Sequence, residues 1–367
     1  MAQETTYGII SDIHENHAIV PHVLDTLITN GAQKFILNGD ICGIGKTLSE
    51  RSDSAENLIA LIAHKGSETY IQPGSHEHLF AYEPVVERVV SRFPNLINAV
   101  ANRKIEMPDH HLVFLPGSDV NITGGEYALG DGQIPTGRYF QSTKGLVQVD
   151  TWREAVPAFR KGAPLLHYQN IHDLAKIVTH PEKTILVCHV PRKFDNIEQG
   201  IDMAEFGHVD DAFELWYTEN NKGALDETIV YRESGSDVWQ KLKQQGAKKI
   251  LNTQRIQERS IFPLESARAL LTRRSNLPIS LRKENRGNES LGRIYDKLGI
   301  SKAISGHFHE STHRACTHVG AQIPQDTYVR ELYWNAGHGD RGHVGLLIVR
   351  GEEVSYRNIV LASCNKN

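Results

Sequence analysis

The chain has 367 residues, 40% of them hydrophobic and 23% charged, with a formal net charge of −4; this is the composition of a globular protein long enough to bury a substantial core. Four cysteines lie far apart (Cys42, Cys188, Cys316, Cys364) and form no CxxC pair, which argues against a disulfide framework or a cysteine-zinc site and fits a reducing cytoplasm. The opening MAQETTYGII has no basic start and no long apolar run, and no stretch of 18 apolar residues occurs anywhere, so the expectation is a cytoplasmic chain without signal peptide or membrane span.

From the N-terminus, Thr6 to Ile10 reads as a strand that runs into Ser11-Asp12-Ile13-His14-Glu15-Asn16. Ile19, Val20, Val23, Leu24, Leu27 and Ile28 then recur at helical spacing, and Asn30-Gly31 stops the helix. Lys34 to Leu37 is the next strand, ending in Asn38-Gly39-Asp40. This β-α-β unit calls for parallel strands with a crossover helix, and its polar groups lie beyond the strand carboxyl ends, where open α/β sheets bind ligands. A helix over 54–64 precedes a strand at 68–71, which runs into Gln72-Pro73-Gly74-Ser75-His76-Glu77-His78. A further helix is expected over 82–93. Short strands follow between Lys104 and Val120, then a glycine-rich, hairpin-like stretch from Gly124 to Gly145.

Residues 171–178 read as helical, and Thr184 to Val187 is a buried strand that ends at Cys188-His189. Beyond it the helical readings are 239–245, 266–273 and 290–298. From Lys241 to Lys302 there are fifteen Lys or Arg against five Asp or Glu, a local excess of ten on an acidic chain. This is either a solvated helical face or a surface for a phosphate-rich substrate such as nucleic acid. Lys302 to Ser305 leads into Gly306-His307-Phe308-His309, and two histidines at i and i+2 of an extended chain leave the same face. The chain closes with strands at 331–334, 344–349 and 354–359, read as an antiparallel set.

Nineteen histidines make any one of them a weak signal, so position at a strand end has to decide. Five apolar runs end in candidate metal ligands: Asp12 with His14, Asp40, Ser75 with His76, His189, and His307 with His309. Taken singly each has an ordinary reading; Asp12, for example, precedes a helix, where aspartate is a common N-cap. Together, carboxylates mixed with imidazoles suit Mn, Fe, Zn, Co or Ni better than Mg or Ca. Asp40, alone at its strand end, is the natural bridging carboxylate between two ions. Two ions so held clamp a phosphoryl group and lower the pKa of a shared water, which points to hydrolysis of a phosphoester. The run Gly39 to Thr47 misses the G-x-x-x-x-G-K-T spacing by one residue, with Asp40 where a glycine belongs, so a nucleotide-triphosphate motor is rejected.

In order, SDIHEN, NGD, GSHE, CHV and GHFH resemble the five blocks of the calcineurin-like metallophosphoesterases. The resemblance spans residues 12–309 and is specific as a set. It implies a four-layer α/β/β/α sandwich of two mixed sheets, here expected as one domain over 1–367. Insertions at about 121–170 (β-rich) and 192–290 (helical and basic) would form a cap or substrate-selecting region. It also implies a dinuclear site: Asp12, His14, Asp40 and His309 for the first metal, Asp40, His189 and His307 for the second, and His76 to protonate the leaving group or steady the transition state. Ser75 stands where the family has an asparagine that binds the second metal, so the second ion, with Mn favoured at both positions, is expected to be held more weakly. The expected activity is phosphoester hydrolysis, leaning to phosphodiesters (nucleotide or nucleic acid) because of the basic region 241–302. The alternative is a binding or scaffold protein that keeps the fold without catalysis. Oligomeric state is left open.

Overall fold

The computed structural model describes residues 4–14, 16–43, 47–119, 125–196, 198–220, 225–231, 235–273 and 277–361. They fall into two compact units, Met1–Met203 with Asn285–Asn367, and Ala204–Glu284.

The first unit is built on two six-stranded sheets. One has the order Glu353–Val360, His343–Arg350, Thr5–Ile10, Lys34–Asn38, Thr69–Gln72, Leu96–Asn98; the other Ala315–Cys316, Leu332–Asn335, Lys302–Ser305, Thr184–Cys188, His111–Leu115, Lys104–Glu106. Successive side chains of a strand face opposite ways, and here both faces are apolar. Tyr7, Ile9, Ile36 and Tyr70 of the first sheet meet Leu112, Phe114, Ile185, Val187, Ile304 and Trp334 of the second in one buried core. The alternate residues Ile10, Phe35, Leu37 and Ile71 turn outward onto Val23, Leu24, Leu27, Leu58 and Val85 of the flanking helices. Val113, Leu115, Leu186 and Ala303 turn outward from the second sheet onto Leu174, Leu291, Ile294 and Tyr295. Helix, sheet, sheet, helix is the four-layer sandwich that the family resemblance implies.

Local chemistry sets the helix ends. Thr47 and Glu50 form a reciprocal capping box that starts the helix Leu48–Ala63. Asn288 Oδ1 accepts from Leu291 N–H at 2.9 Å at the start of Glu289–Leu298, and Gly299, with φ 71°, ends that helix. Residues 125–170 add a four-stranded sheet, ordered Gly125–Gly130, Leu165–Asn170, Gly137–Ser142, Gly145–Val149. Glu83 of the helix Leu79–Arg92 anchors this sheet to the sandwich: its carboxylate accepts from Arg138 Nη2 at 2.8 Å and from Trp152 Nε1. The first four residues of the stretch expected at 121–170 lie outside the described residues.

Two expectations are corrected. The insertion is not largely helical. Its helices Gly235–Gln244 and Leu264–Arg273 accompany two three-stranded sheets, made of Met203–Val209, Ile261–Pro263 and Ile279–Asn285, and of Phe213–Asn220, Leu225–Tyr231 and Ala247–Ile256. The core of this unit gathers strand residues Val209, Phe213, Leu215, Ile256 and Ile279 around Ala267 of a helix. Ala247–Ile256 escaped the pattern reading because only Ile256 at its end is buried, and a strand exposed on both faces has no alternation to detect. The closing strands are also not one antiparallel set. His343–Arg350 and Glu353–Val360 form an antiparallel hairpin in the first sheet, whereas Leu332–Asn335 pairs in parallel with Lys302–Ser305 in the second.

Candidate metal centre

Asp12, Asp40, Ser75, His189 and His307 each follow the carboxyl end of a strand: Thr5–Ile10, Lys34–Asn38, Thr69–Gln72, Thr184–Cys188 and Lys302–Ser305. Backbone hydrogen bonds lace these loops together. Asp12 N–H donates to Gly39 O at 3.1 Å, His14 N–H to Asp40 O at 2.8 Å, and Gly306 N–H to His189 O at 3.0 Å, the last joining two strand ends of the second sheet. Contact this close excludes side chains. A Cβ at Gly39 would meet the Gly74 backbone, and one at Gly74 would meet the Asp40 carboxylate. Four of the predicted site residues hold left-handed backbone: Asp12 (φ 53°), His14 (50°), Asp40 (52°) and His307 (68°). Non-glycine residues persist there only where surrounding contacts over-determine them, and such positions concentrate at functional sites.

The seven predicted aspartates and histidines converge. Asp12, His14 and His309 form one set whose donor atoms lie within 4.8 Å of one another; Asp40, His189 and His307 form a second, and His14, Asp40 and His76 a third. In the first set His309 Nε2 is 3.3 Å from Asp12 Oδ1 and 3.4 Å from His14 Nε2. In the second, His189 Nε2 stands 3.0 Å from Asp40 Oδ2 without hydrogen-bond alignment, and His307 Nδ1 is buried with no hydrogen-bond partner. His76 Nδ1 lies 3.2 Å from His14 Nδ1, and its Nε2 lies 3.8 Å from Asp40 Oδ2. Ser75 sits beside Asp40, and its Oγ–H gives a hydrogen bond to Asp40 Oδ2 at 2.9 Å.

Asp40 divides its two oxygens. Oδ1 accepts from the N–H groups of Ser75 (2.5 Å) and His76 (2.9 Å), so Oδ2 faces the histidines. Asp12 and Asp40 are 0% and 2% exposed, and the ion pairs they make among the described residues are with histidines alone. Burial disfavours both carboxylates, yet the neighbouring His189, foremost, holds both below the usual carboxylate range. His189 answers in the other sense: against its burial, Asp40 and Asp12 push its pKa up to about 10. Burial, with His189 beside it, pushes His307 down to about 4. Two buried anions, imidazole nitrogens aimed at one another, and orphaned Nδ1 and Nε2 atoms are the donor set of a divalent cation, which would satisfy lone pairs that protons leave unmatched.

Three further residues support the centre. Glu77 was legible as part of the GSHE block but had no assigned role; it is 1% exposed and packs its carboxylate under the Asp40 loop. His17 Nε2 lies 3.2 Å from His14 O and 3.2 Å from Ser54 Oγ. His338 presses its ring on His309 with centroids 4.6 Å apart, and burial followed by His309 pushes its pKa down to about 3. The available signal for His338 was its place: Gly337-His338-Gly339-Asp340 follows the strand Leu332–Asn335 as the other blocks follow theirs.

A two-sheet sandwich with clustered carboxylates and imidazoles at the strand ends has the donor groups that could hold metal ions. The family model described as calcineurin-like phosphoesterase matches residues 5–311, and the chain belongs to that family, whose chemistry is metal-dependent phosphoester hydrolysis. No curated protein matches the chain. Among solved structures it is similar to TT1561 of Thermus thermophilus, at 9% identity and a TM-score of 0.45 over 97% of this chain and 99% of that one. A second crystal structure is similar at 9% identity and a TM-score of 0.47, over 97% and 99%. Neither likeness is close enough to add to what the family and the geometry carry. No helix among the described residues is long and apolar enough to cross a membrane.

Proposed function

We propose that the chain is a phosphodiesterase that works with two divalent ions, Mn favoured. The observation that carries this reading is the place of Asp40, one carboxylate common to the set with His189 and His307 and the set with His14 and His76. Asp12, His14, Asp40 and His309 would hold the first ion; Asp40, His189, His307 and, through its hydroxyl, Ser75 would hold the second. When bound, such a pair supplies Lewis-acid polarisation of the phosphoryl oxygens and a hydroxide nucleophile near neutral pH. The chain's own residues orient the rest. His76, its N–H fixed on Asp40 and its ring against His14, delivers a proton to the departing oxygen.

Support for a nucleotide or nucleic-acid diester comes from cations in the second unit. Lys248, Lys249, Arg255, Arg259 and Lys283 are exposed, whereas Arg268 pairs with Glu205 at 3.0 Å and Arg282 with Asp210. Lys302, counted with the basic run, is buried and belongs to the sandwich. A cytoplasmic setting is supported by Cys42, Cys188 and Cys316, buried thiols that form no disulfide among the described residues. The test is turnover of an aryl phosphodiester beside the matching monoester with added Mn²⁺, with Asp40→Asn as control. Diester hydrolysis abolished by chelation and by the substitution is expected. Tight metal binding without turnover, with Mn²⁺ and several other ions, would instead favour the binding-protein reading, for which Ser75 is the supporting feature. Binding of single- and double-stranded nucleic acid at graded salt checks the substrate class, since phosphate contacts give a steep salt slope.

A further inference from the structure

The loops that follow Lys34–Asn38 and Thr69–Gln72 exchange carboxylates. Asp40 reaches across to accept the N–H groups of Ser75 and His76 through Oδ1. Glu77 reaches back: Oε1 accepts from Ile41 N–H at 2.5 Å and Cys42 N–H at 3.4 Å, and Oε2 accepts from Asp40 N–H at 3.2 Å and Gly74 N–H at 2.6 Å. Three consecutive amides, 40 to 42, therefore point into one buried carboxylate. Consecutive amides oriented this way form a concave site for an anion, and Glu77 supplies that anion from within the chain.

We infer that Glu77 is the positioning residue of the metal centre, holding Asp40 and, through it, His14 in ligand geometry. This rests on the metal-dependent reading above. The physical argument starts from Asp40, a non-glycine residue at φ 52°. Unsupported, its backbone would relax toward extended or helical angles and swing the carboxylate away from His189. The Glu77 contacts span that residue on its N–H side and on the two peptides after it, which pins φ and ψ together. The Asp40 carbonyl also accepts the His14 N–H at 2.8 Å, and His14 is itself at φ 50°. One carboxylate that touches no substrate thus fixes residues that serve both ion positions.

Glu77→Gln keeps the shape and sets an amide donor against backbone donors; Glu77→Asp keeps the charge on a shorter stem. Calorimetric titration with Mn²⁺, well below the melting temperature, should show about a 10- to 100-fold loss of affinity in Glu77→Gln, the usual effect of losing a partner that orients ligands. Glu77→Asp should fall between it and wild type. A purely structural role would lower the melting temperature and leave affinity unchanged, and a folded Glu77→Gln or Glu77→Asp with wild-type affinity overturns the inference. Amide hydrogen exchange on the wild-type protein without metal gives a readout that needs no variant. Ile41 and Gly74 should exchange as slowly as the strand His343–Arg350, and fast exchange at both also overturns it. If the wild type binds no Mn²⁺, the metal reading fails, while the exchange result still decides whether Glu77 fixes the loop.

Discussion

Ser75 stands where the family resemblance implies an asparagine, and Ser75→Asn tests what the serine does. The serine Oγ–H donates to Asp40 Oδ2 at 2.9 Å, and this is the oxygen that His189 Nε2 approaches to 3.0 Å. A neutral hydroxyl in that position is a poor metal donor and also occupies a lone pair of the carboxylate that, on the proposed reading, both ions would share. Asparagine would bring a carbonyl oxygen one bond further out and remove the hydroxyl proton from Oδ2. We expect the second ion to bind about tenfold tighter, roughly 1.4 kcal/mol, with the first ion nearly unchanged. Ser75 is 3% exposed, so the larger side chain should cost about 1–3 kcal/mol of stability by overpacking. Affinity and stability therefore move in opposite directions, which separates a ligand effect from general tightening of the fold. Mn²⁺ titration by calorimetry, with thermal melts of the metal-free proteins, reads both. Equal stoichiometry and equal second-ion affinity in the two proteins would refute the reasoning.

Asp40→Asn retains an oxygen for the Ser75 and His76 amides but loses the charge; turnover should drop at least about 100-fold, the scale of removing one preorganised electrostatic contact, and initial rates near wild type would sink the shared-carboxylate role. Gly306→Ala would drive a Cβ into Ser11 Oγ and Asp12 Oδ2; about 1–3 kcal/mol of destabilisation is expected in urea unfolding, and an unchanged midpoint would refute the close approach. Lys302 is 2% exposed, and burial pushes its pKa down from 10.5 to about 8. Between pH 8 and 10.5 the unfolded chain holds a proton that the fold has released, so this residue's contribution to stability rises with pH. Relative to Lys302→Met, wild-type stability should therefore gain up to about 3 kcal/mol from pH 8 to 10.5. A flat difference curve in chemical denaturation would show that Lys302 keeps its ordinary pKa.

The sequence by itself determined the parallel β-α-β start and the identity of the candidate ligands, while the sandwich followed from the family resemblance those motifs carry. Each run such as TYGII or TILV reads as a strand, and each ends in a glycine, serine or cysteine followed by a carboxylate or imidazole. Those are local properties, readable one strand at a time. What depends on which strands become neighbours was not readable. Glu77 acquires its role only because Lys34–Asn38 and Thr69–Gln72 pair in parallel, bringing the amides of 40–42 over residue 77. His338 meets His309 only because Leu332–Asn335 joins the second sheet beside Lys302–Ser305, a direction its four residues do not encode. The strand Ala247–Ile256 was hidden for the opposite reason: Lys248, Lys249, Leu251 and Arg255 are all exposed, and a strand with so little of either face buried leaves no hydrophobic period to read. Residue chemistry is written along the chain, whereas the left-handed turns at Asp12, His14, Asp40 and His307 are held by contacts from loops distant in sequence, such as Asp12 N–H to Gly39 O and His14 N–H to Asp40 O, which exist only once the strands before them have become neighbours.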